Sequence, residues 1–135
     1  MNKIEHIGIA VKNLEEANKT YQAILGVESY KTERVESEGV DTSFFRVGDS
    51  KIELLAATNP ESPIAKFLEK RGEGIHHIAF NVEDIQAEIE RLKGEDFVLL
   101  NDFPKSGADN KLVAFMHPKS AHGVLVELCQ EKVAE

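Results

Sequence analysis

Two histidines and two glutamates stand out because each pair recurs on nearly the same local sequence. His6 lies in IEHIGIAV (Ile4–Val11), and His77 lies in IHHIAFNV (Ile75–Val82), 71 residues further on. Glu53 lies in IEL (Ile52–Leu54) and Glu127 in VEL (Val126–Leu128). Strand alternation sets His6, Gly8 and Ala10 on one face, and His77, Ala79 and Asn81 on the matching one. Each histidine thus stands among small residues, as on the wall of a cavity. A carboxylate alone among aliphatics is costly to bury and calls for a partner. Two imidazoles and two carboxylates supply one together as the ligand set of a divalent metal such as Co, Zn, Mn, Ni or Fe. Four protein ligands leave two positions of an octahedron open for substrate. Any one of the four has an ordinary structural explanation; their recurrence on matched positions does not.

The elements that must position these residues also come in two copies. Ile4–Val11 alternates as a strand. Asn13 caps a helix with Leu14, Ala17, Tyr21, Ile24 and Leu25 on its apolar face and Gly26 as its stop. Strands follow at about 40–47 and 51–57 around the turn Gly48-Asp49-Ser50. A linking helix starts with Ser62 as cap and Pro63 in first position, and ends at Gly72 or Gly74. The pattern then restarts with Ile75–Val82 as a strand. Asp84 caps a helix that turns Ile85, Ile89 and Leu92 inward and stops at Gly94. Strands are expected near 97–100, 111–116 and 123–129, with a loop over 101–110. Such a repeat implies two copies of one supersecondary unit. The expectation is a single domain over 1–135: module one about 1–58, the linking helix about 62–71, and module two about 75–130.

The bulk composition narrows the function. Net charge is −8 with acidic residues dispersed, which argues against a nucleic-acid partner. An anionic substrate would therefore need local cations or a metal. No apolar run approaches the ~20 residues of a membrane helix, so no membrane partner is expected. The start MNKIEHIG enters a strand at once, and the expectation is a cytoplasmic protein with no leader. The single cysteine, Cys129, suits a reducing compartment. It shares strand parity with Glu127, but nothing near it would activate a thiolate. His76 should point away from the site, and His117 and His122 belong to a turn. There is no phosphate-binding glycine fingerprint and no nucleophile elbow.

HIGIAV at 6–11, SPIAKFLEKRGEGIHHIAF at 62–80 and FMHPKSAHGVLVEL at 115–128 carry a resemblance over nearly the whole chain. They resemble the methylmalonyl-CoA epimerase family of the vicinal oxygen chelate superfamily. HIGIAV is a superfamily-level signal, and the two longer segments are specific to the epimerases. The resemblance implies an α+β fold of two paired βαβββ modules whose mixed sheet forms an open cup around a metal, in a homodimer. It places the metal ligands on His6, Glu53, His77 and Glu127, with Glu127 also the catalytic carboxylate. The implied ion is one divalent metal per chain, Co²⁺ first, with Zn²⁺, Mn²⁺ and Ni²⁺ as alternatives.

The implied reaction interconverts (2R)- and (2S)-methylmalonyl-CoA by removing and returning the C2 proton through an enolate. Some family members carry a glutamate just beyond the GV of the second strand as a further base. Here that stretch is GVDTSFF: Thr42 holds the matching position and Asp41 has the opposite parity. The alternatives are a glyoxalase I-like lactoylglutathione lyase and a metal-free small-molecule binding protein of the same fold.

Overall fold

The computed structural model describes residues 1–132; the last three residues of the expected 1–135 span, 133–135, lie outside the described residues. The chain forms two compact units. One holds His6–His76, and the other holds Met1–Glu5 with the chain from His77 onward, so the division runs through two strands.

In the first unit, β1 (Lys3–Ala10) leads into α1 (Leu14–Leu25), β2 (Lys31–Val35), a 3-10 turn (Glu36–Glu38), β3 (Val40–Val47) and β4 (Ser50–Ala57). The sheet order is β2-β3-β4-β1, with β1 and β4 parallel and the other pairs antiparallel. The helix begins where Asn13 Oδ1 accepts a hydrogen bond from the Glu16 N–H at 2.9 Å. It ends at Gly26 with φ 73°, a left-handed conformation that favours glycine. Leu14, Ala17, Tyr21 and Leu25 lie over Ile9, Val11, Phe45, Leu54 and Ala56. Ile24, expected on this face, is 65% exposed, because it falls at the margin of the apolar stripe.

The linking helix α2 (Pro63–Arg71) starts where the Ile64 N–H donates to Ser62 Oγ at 3.1 Å. Gly72 ends it with φ 74°. Ile64, Phe67 and Leu68 pack against Ala10, Val40, Leu55 and Ala57. Alternation puts those sheet residues on the face that carries His6 and Glu53. Helix α2 therefore covers one end of that face, opposite to α1. Gly39 makes this approach possible: a Cβ there would lie 2.7 Å from Asn59 Nδ2 and 3.2 Å from Ser62 Cβ.

The second unit repeats the plan. β5 (Gly74–Asn81) is followed by α3 (Ile85–Gly94), β6 (Lys105–Gly107), β7 (Lys111–Met116), a 3-10 turn (Pro118–Ala121) and β8 (Val126–Glu131), in sheet order β5-β8-β7-β6. β5 and β8 are parallel, like β1 and β4. Asp84 Oδ1 caps α3 by accepting from the Ala87 N–H at 3.1 Å. Ile85, Ile89 and Leu92 are buried with Val82, Ala114, Met116 and Leu128. The element order is thus two βαβββ modules joined by a helix, as the resemblance implied.

Several boundaries differ from the sequence expectation. The 97–100 segment makes only an isolated bridge, Leu99 to Met116; Phe97 packs on the α3 core, while Val98 and Leu100 face solvent. The expected 101–110 loop contains the short edge strand β6. Gly94 is the last helical residue and not the stop; Glu95 caps the helix, and Asp96 takes the left-handed turn with φ 69°. The last strand begins at Val126 and not Gly123, because the Pro118–Ala121 turn occupies the preceding chain. β2 was not anticipated: KTERV has too few apolar residues to alternate visibly.

The repeat exposes one packing fault. Asn18 stands where the second module has the fully buried Ile89, on the stripe formed by Leu14, Tyr21 and Leu25. Its Oδ1 is buried without a hydrogen-bond partner. An orphaned buried acceptor costs ~1–3 kcal/mol. Asn18→Leu should therefore raise stability by about 1 kcal/mol or more, read as a higher urea midpoint at unchanged slope.

Candidate active site

Each unit presents one histidine–glutamate pair on one face of its sheet. In the first, β1 supplies His6 and β4 supplies Glu53, with His6 Nδ1 and Glu53 Oε2 3.1 Å apart. In the second, β5 supplies His77 and β8 supplies Glu127, with His77 Nε2 and Glu127 Oε1 3.3 Å apart. All four side chains are only 5–7% exposed. The four sequence-selected residues thus fall into two buried pairs, one within each unit.

The register explains how the pairs form. Gly8 is the β1 neighbour of Glu53, and Ala79 is the β5 neighbour of Glu127. On the other side, Phe44 is the β3 neighbour of Glu53 and Phe115 the β7 neighbour of Glu127. Each carboxylate therefore stands between a small residue and an aromatic ring, in the same order in both modules. The small neighbour leaves room for the histidine two residues away to lean towards the carboxylate. The ring walls the other side: Phe115 lies edge-on to His77, with centroids 6.0 Å apart. A buried carboxylate beside an imidazole is a donor set made for a cation, because each lowers the other's cost of leaving water only partly.

The remaining sequence expectations sort cleanly. Thr42 is buried on the Glu53 face, paired with Leu55, one step along from the Phe44–Glu53 pair. Asp41 faces the other way and is held by Arg34, whose Nε and Nη2 donate at 2.7 and 3.0 Å. That hydrogen bond holds the Asp41 carboxyl below its ordinary value. His76 lies edge-on to Phe67 of α2 with centroids 5.0 Å apart, and burial pushes its pKa down to about 4. It is thus a neutral, packed histidine at physiological pH. His117 Nδ1 accepts from the Lys119 N–H at 3.0 Å, and His122 is the left-handed cap of the same turn. Cys129 is fully buried in an apolar cluster with Ala79, Val113 and Phe115.

Two features of the site were not anticipated. Lys51 is a buried lysine paired in register with His6, and so stands on the His6–Glu53 face. The phenylalanine that flanks each glutamate was also missed. Strand parity could have found Lys51, two residues before Glu53 in KIEL. The 71-residue spacing of Phe44 and Phe115 equals that of the histidines and could have found the rings.

Comparison with known proteins identifies the family to which this fold belongs. The profile of the Glyoxalase/Bleomycin resistance protein/Dioxygenase superfamily matches residues 5–115. An ethylmalonyl-CoA/methylmalonyl-CoA epimerase of Cereibacter sphaeroides is 44% identical over 132 residues, 96% of this chain and 98% of that relative. A variant of the Streptomyces coelicolor methylmalonyl-CoA epimerase, solved with 2-nitronate-propionyl-CoA, superposes with a TM-score of 0.93 at 36% identity, over 98% of this chain and 96% of that one. A methylmalonyl-CoA epimerase solved with methylmalonyl-CoA and NH4+ gives the same TM-score of 0.93 at 36% identity and the same 98% and 96% coverage. With its duplicated βαβββ module and its two buried histidine–glutamate pairs, this chain belongs to the glyoxalase/bleomycin resistance protein/dioxygenase superfamily and, within it, to the methylmalonyl-CoA epimerase family.

Proposed function

We propose that this chain is an isomerase that interconverts (2R)- and (2S)-methylmalonyl-CoA, using one divalent metal held by His6, Glu53, His77 and Glu127. The observation that carries the reading is the pair of buried histidine–glutamate contacts at 3.1 and 3.3 Å on repeat-equivalent positions. Neutral imidazoles and carboxylates suit Co²⁺, Zn²⁺, Mn²⁺ and Ni²⁺, and two carboxylates balance the ion's charge. When bound, such a metal supplies Lewis acidity towards the substrate's oxygens. The resemblance further supports a single catalytic domain acting as a homodimer, with Cys129 reduced in a cytoplasmic setting.

The chain's own groups account for the proton traffic. C2 of methylmalonyl-CoA lies between a thioester carbonyl and a carboxylate, so loss of its proton leaves an enolate. Glu127 is the group proposed to accept that proton on one face. It is buried, set on a strand rather than a loop, and flanked in register by Ala79 and Phe115. Epimerisation requires the proton to return on the other face. Thr42 faces the same way as Glu53, but its hydroxyl is too weak an acid or base to carry the step alone and could at most position a water.

Three outcomes test this reading. His77→Ala should strip the bound metal and lower C2 proton–deuterium exchange in D₂O by 10²-fold or more, whereas His76→Ala keeps the metal. Full metal occupancy in the His77→Ala protein, by elemental analysis, would refute the ligand set. Glu127→Gln should keep part of the metal and lose ~10²–10⁴-fold in exchange, the usual worth of a positioned base; Thr42→Val should cost far less. A Thr42→Val protein as inactive as Glu127→Gln, with metal intact, would assign the second-face proton to that position.

Asp41→Asn should leave exchange unchanged, since Asp41 serves Arg34 on the far face. The folded-state pKa of Asp41 is lowered, so its contribution to stability is present above the ordinary value of 3.8 and is lost as pH falls through the lower one. The small destabilisation by Asp41→Asn should accordingly appear at pH 7 and vanish in acid, as followed by thermal melts.

A further inference from the structure

A chain of net charge −8 whose substrate is a polyanionic thioester must concentrate positive charge somewhere. Three of its surface hollows differ in the charge of their walls. One, at the end of α1, sets Lys19 against Glu28. A second, at the start of α1, sets Lys12 against Glu16 and Glu73. The third, a hollow of about 290 Å³ beside α2, is lined by Lys66, Lys70 and Arg71 against a single Glu69. This third hollow carries a net positive wall.

Its floor is aromatic. Phe67 and His76 meet edge-to-face with centroids 5.0 Å apart, and the Arg71 guanidinium stands 5.9 Å from the Phe67 ring. The C-terminal end of a helix attracts cations, and that alone accounts for Lys70 and Arg71 in the last turn of α2. It accounts neither for Lys66, a turn earlier, nor for the hollow with an aromatic base that the three cations border. Helix α2 also packs, through Ile64 and Phe67, on the end of the sheet face that bears His6 and Glu53. The hollow therefore belongs to the helix that closes that face.

We infer that the hollow beside α2 binds the phosphorylated nucleotide end of the substrate thioester, with Lys66, Lys70 and Arg71 on the phosphates and the Phe67–His76 floor against the planar base. Arginine and lysine divide this work in a familiar way: the guanidinium clamps phosphate oxygens in a plane, and the ammonium groups act as mobile point charges. The two rings meet at 80°, so a base can stack on the face of only one of them, a contact indifferent to the base's identity. This inference rests on the thioester-substrate reading above.

The test uses adenosine 3′,5′-bisphosphate as probe, titrated calorimetrically into the intact chain. Wild-type protein should bind it, and the triple variant Lys66→Ala/Lys70→Ala/Arg71→Ala should bind about tenfold or more weakly, as expected for the loss of charge-assisted contacts. The three side chains are exposed, so folding should survive; the single charge reversal Lys70→Glu should give the same direction of change. Adenosine, which lacks the phosphates, should bind far more weakly than the bisphosphate. In turnover, the triple variant should lower kcat/KM for methylmalonyl-CoA about tenfold relative to that for methylmalonyl-pantetheine, which has no nucleotide. Equal affinity of wild type and variant for the bisphosphate, or no binding by wild type, overturns the inference, as does an equal loss on both thioesters. Absence of C2 exchange in the wild-type protein would instead sink the epimerase reading, and the calorimetry would still decide the nucleotide site.

Discussion

A carboxylate withdrawn from water needs a cation, a proton or a set of donors beside it, and the repeat-equivalent Glu53 and Glu127 both make that demand. Glu53 and Glu127 are each only 5% exposed in the middle of a sheet, and each has an imidazole nitrogen within 3.3 Å. Most of the surrounding structure serves those two contacts. The parallel pairings of β1 with β4 and β5 with β8 put Gly8 and Ala79 beside the carboxylates. A slip of one residue in either pairing would turn the glutamate to the helix-covered face, among side chains such as Leu54 or Leu128, where no partner waits. The caps and turns that fix the strand ends are therefore part of the site, although none of them touches it.

Helices on the outer faces take up the apolar surplus. Ile9 and Val11 lie under α1, and Val82 lies under α3, so the opposite parity in β1 and β5 is free to carry polar chemistry. In the first unit, α2 then covers one end of the polar face, with Ile64 against Ala10, Val40 and Leu55. The modules differ where the repeat is imperfect. Thr42 stands where the second module has Val113, and Lys51 precedes Glu53 where Leu125 precedes Glu127. The polar differences run both ways, since the second copy has the buried Lys111 where the first has Val40, and Asn81 where the first has Ala10.

What the sequence disclosed follows from the strength of each signal. The two histidine strands, the helix at Asn13 and the one at Asp84 were legible because strong alternation or a stripe of aliphatics sat beside an unambiguous cap. The ligand pairs were legible because a repeat converts four weak positions into one pattern. β2 and β6 were not. KTERV and KSG lie at the two sheet edges, where charge and brevity are favoured because they discourage pairing with other chains, and those same properties erase the strand signal. The 97–100 segment misled in the opposite sense: FVLL reads as a strand, yet only Leu99 bridges to a neighbour. Lys51 was overlooked because a lysine at a strand start is ordinarily solvated, and its burial depends on what the sheet brings around it.

The unequal seating of the two outer helices has a dynamic consequence. Helix α3 drives three buried side chains into its sheet, whereas none of α1's is as deeply buried and α1 carries the unpartnered oxygen of Asn18. Local opening free energies follow the apolar contact that an element would lose on detaching. The two modules share an architecture but not a ceiling of local stability: α1 is the segment that should detach first, as a sub-global unit, while α3 stays protected to near the global limit. Amide protons of α1 should then exchange through partial opening, and those of α3 only through unfolding of the core.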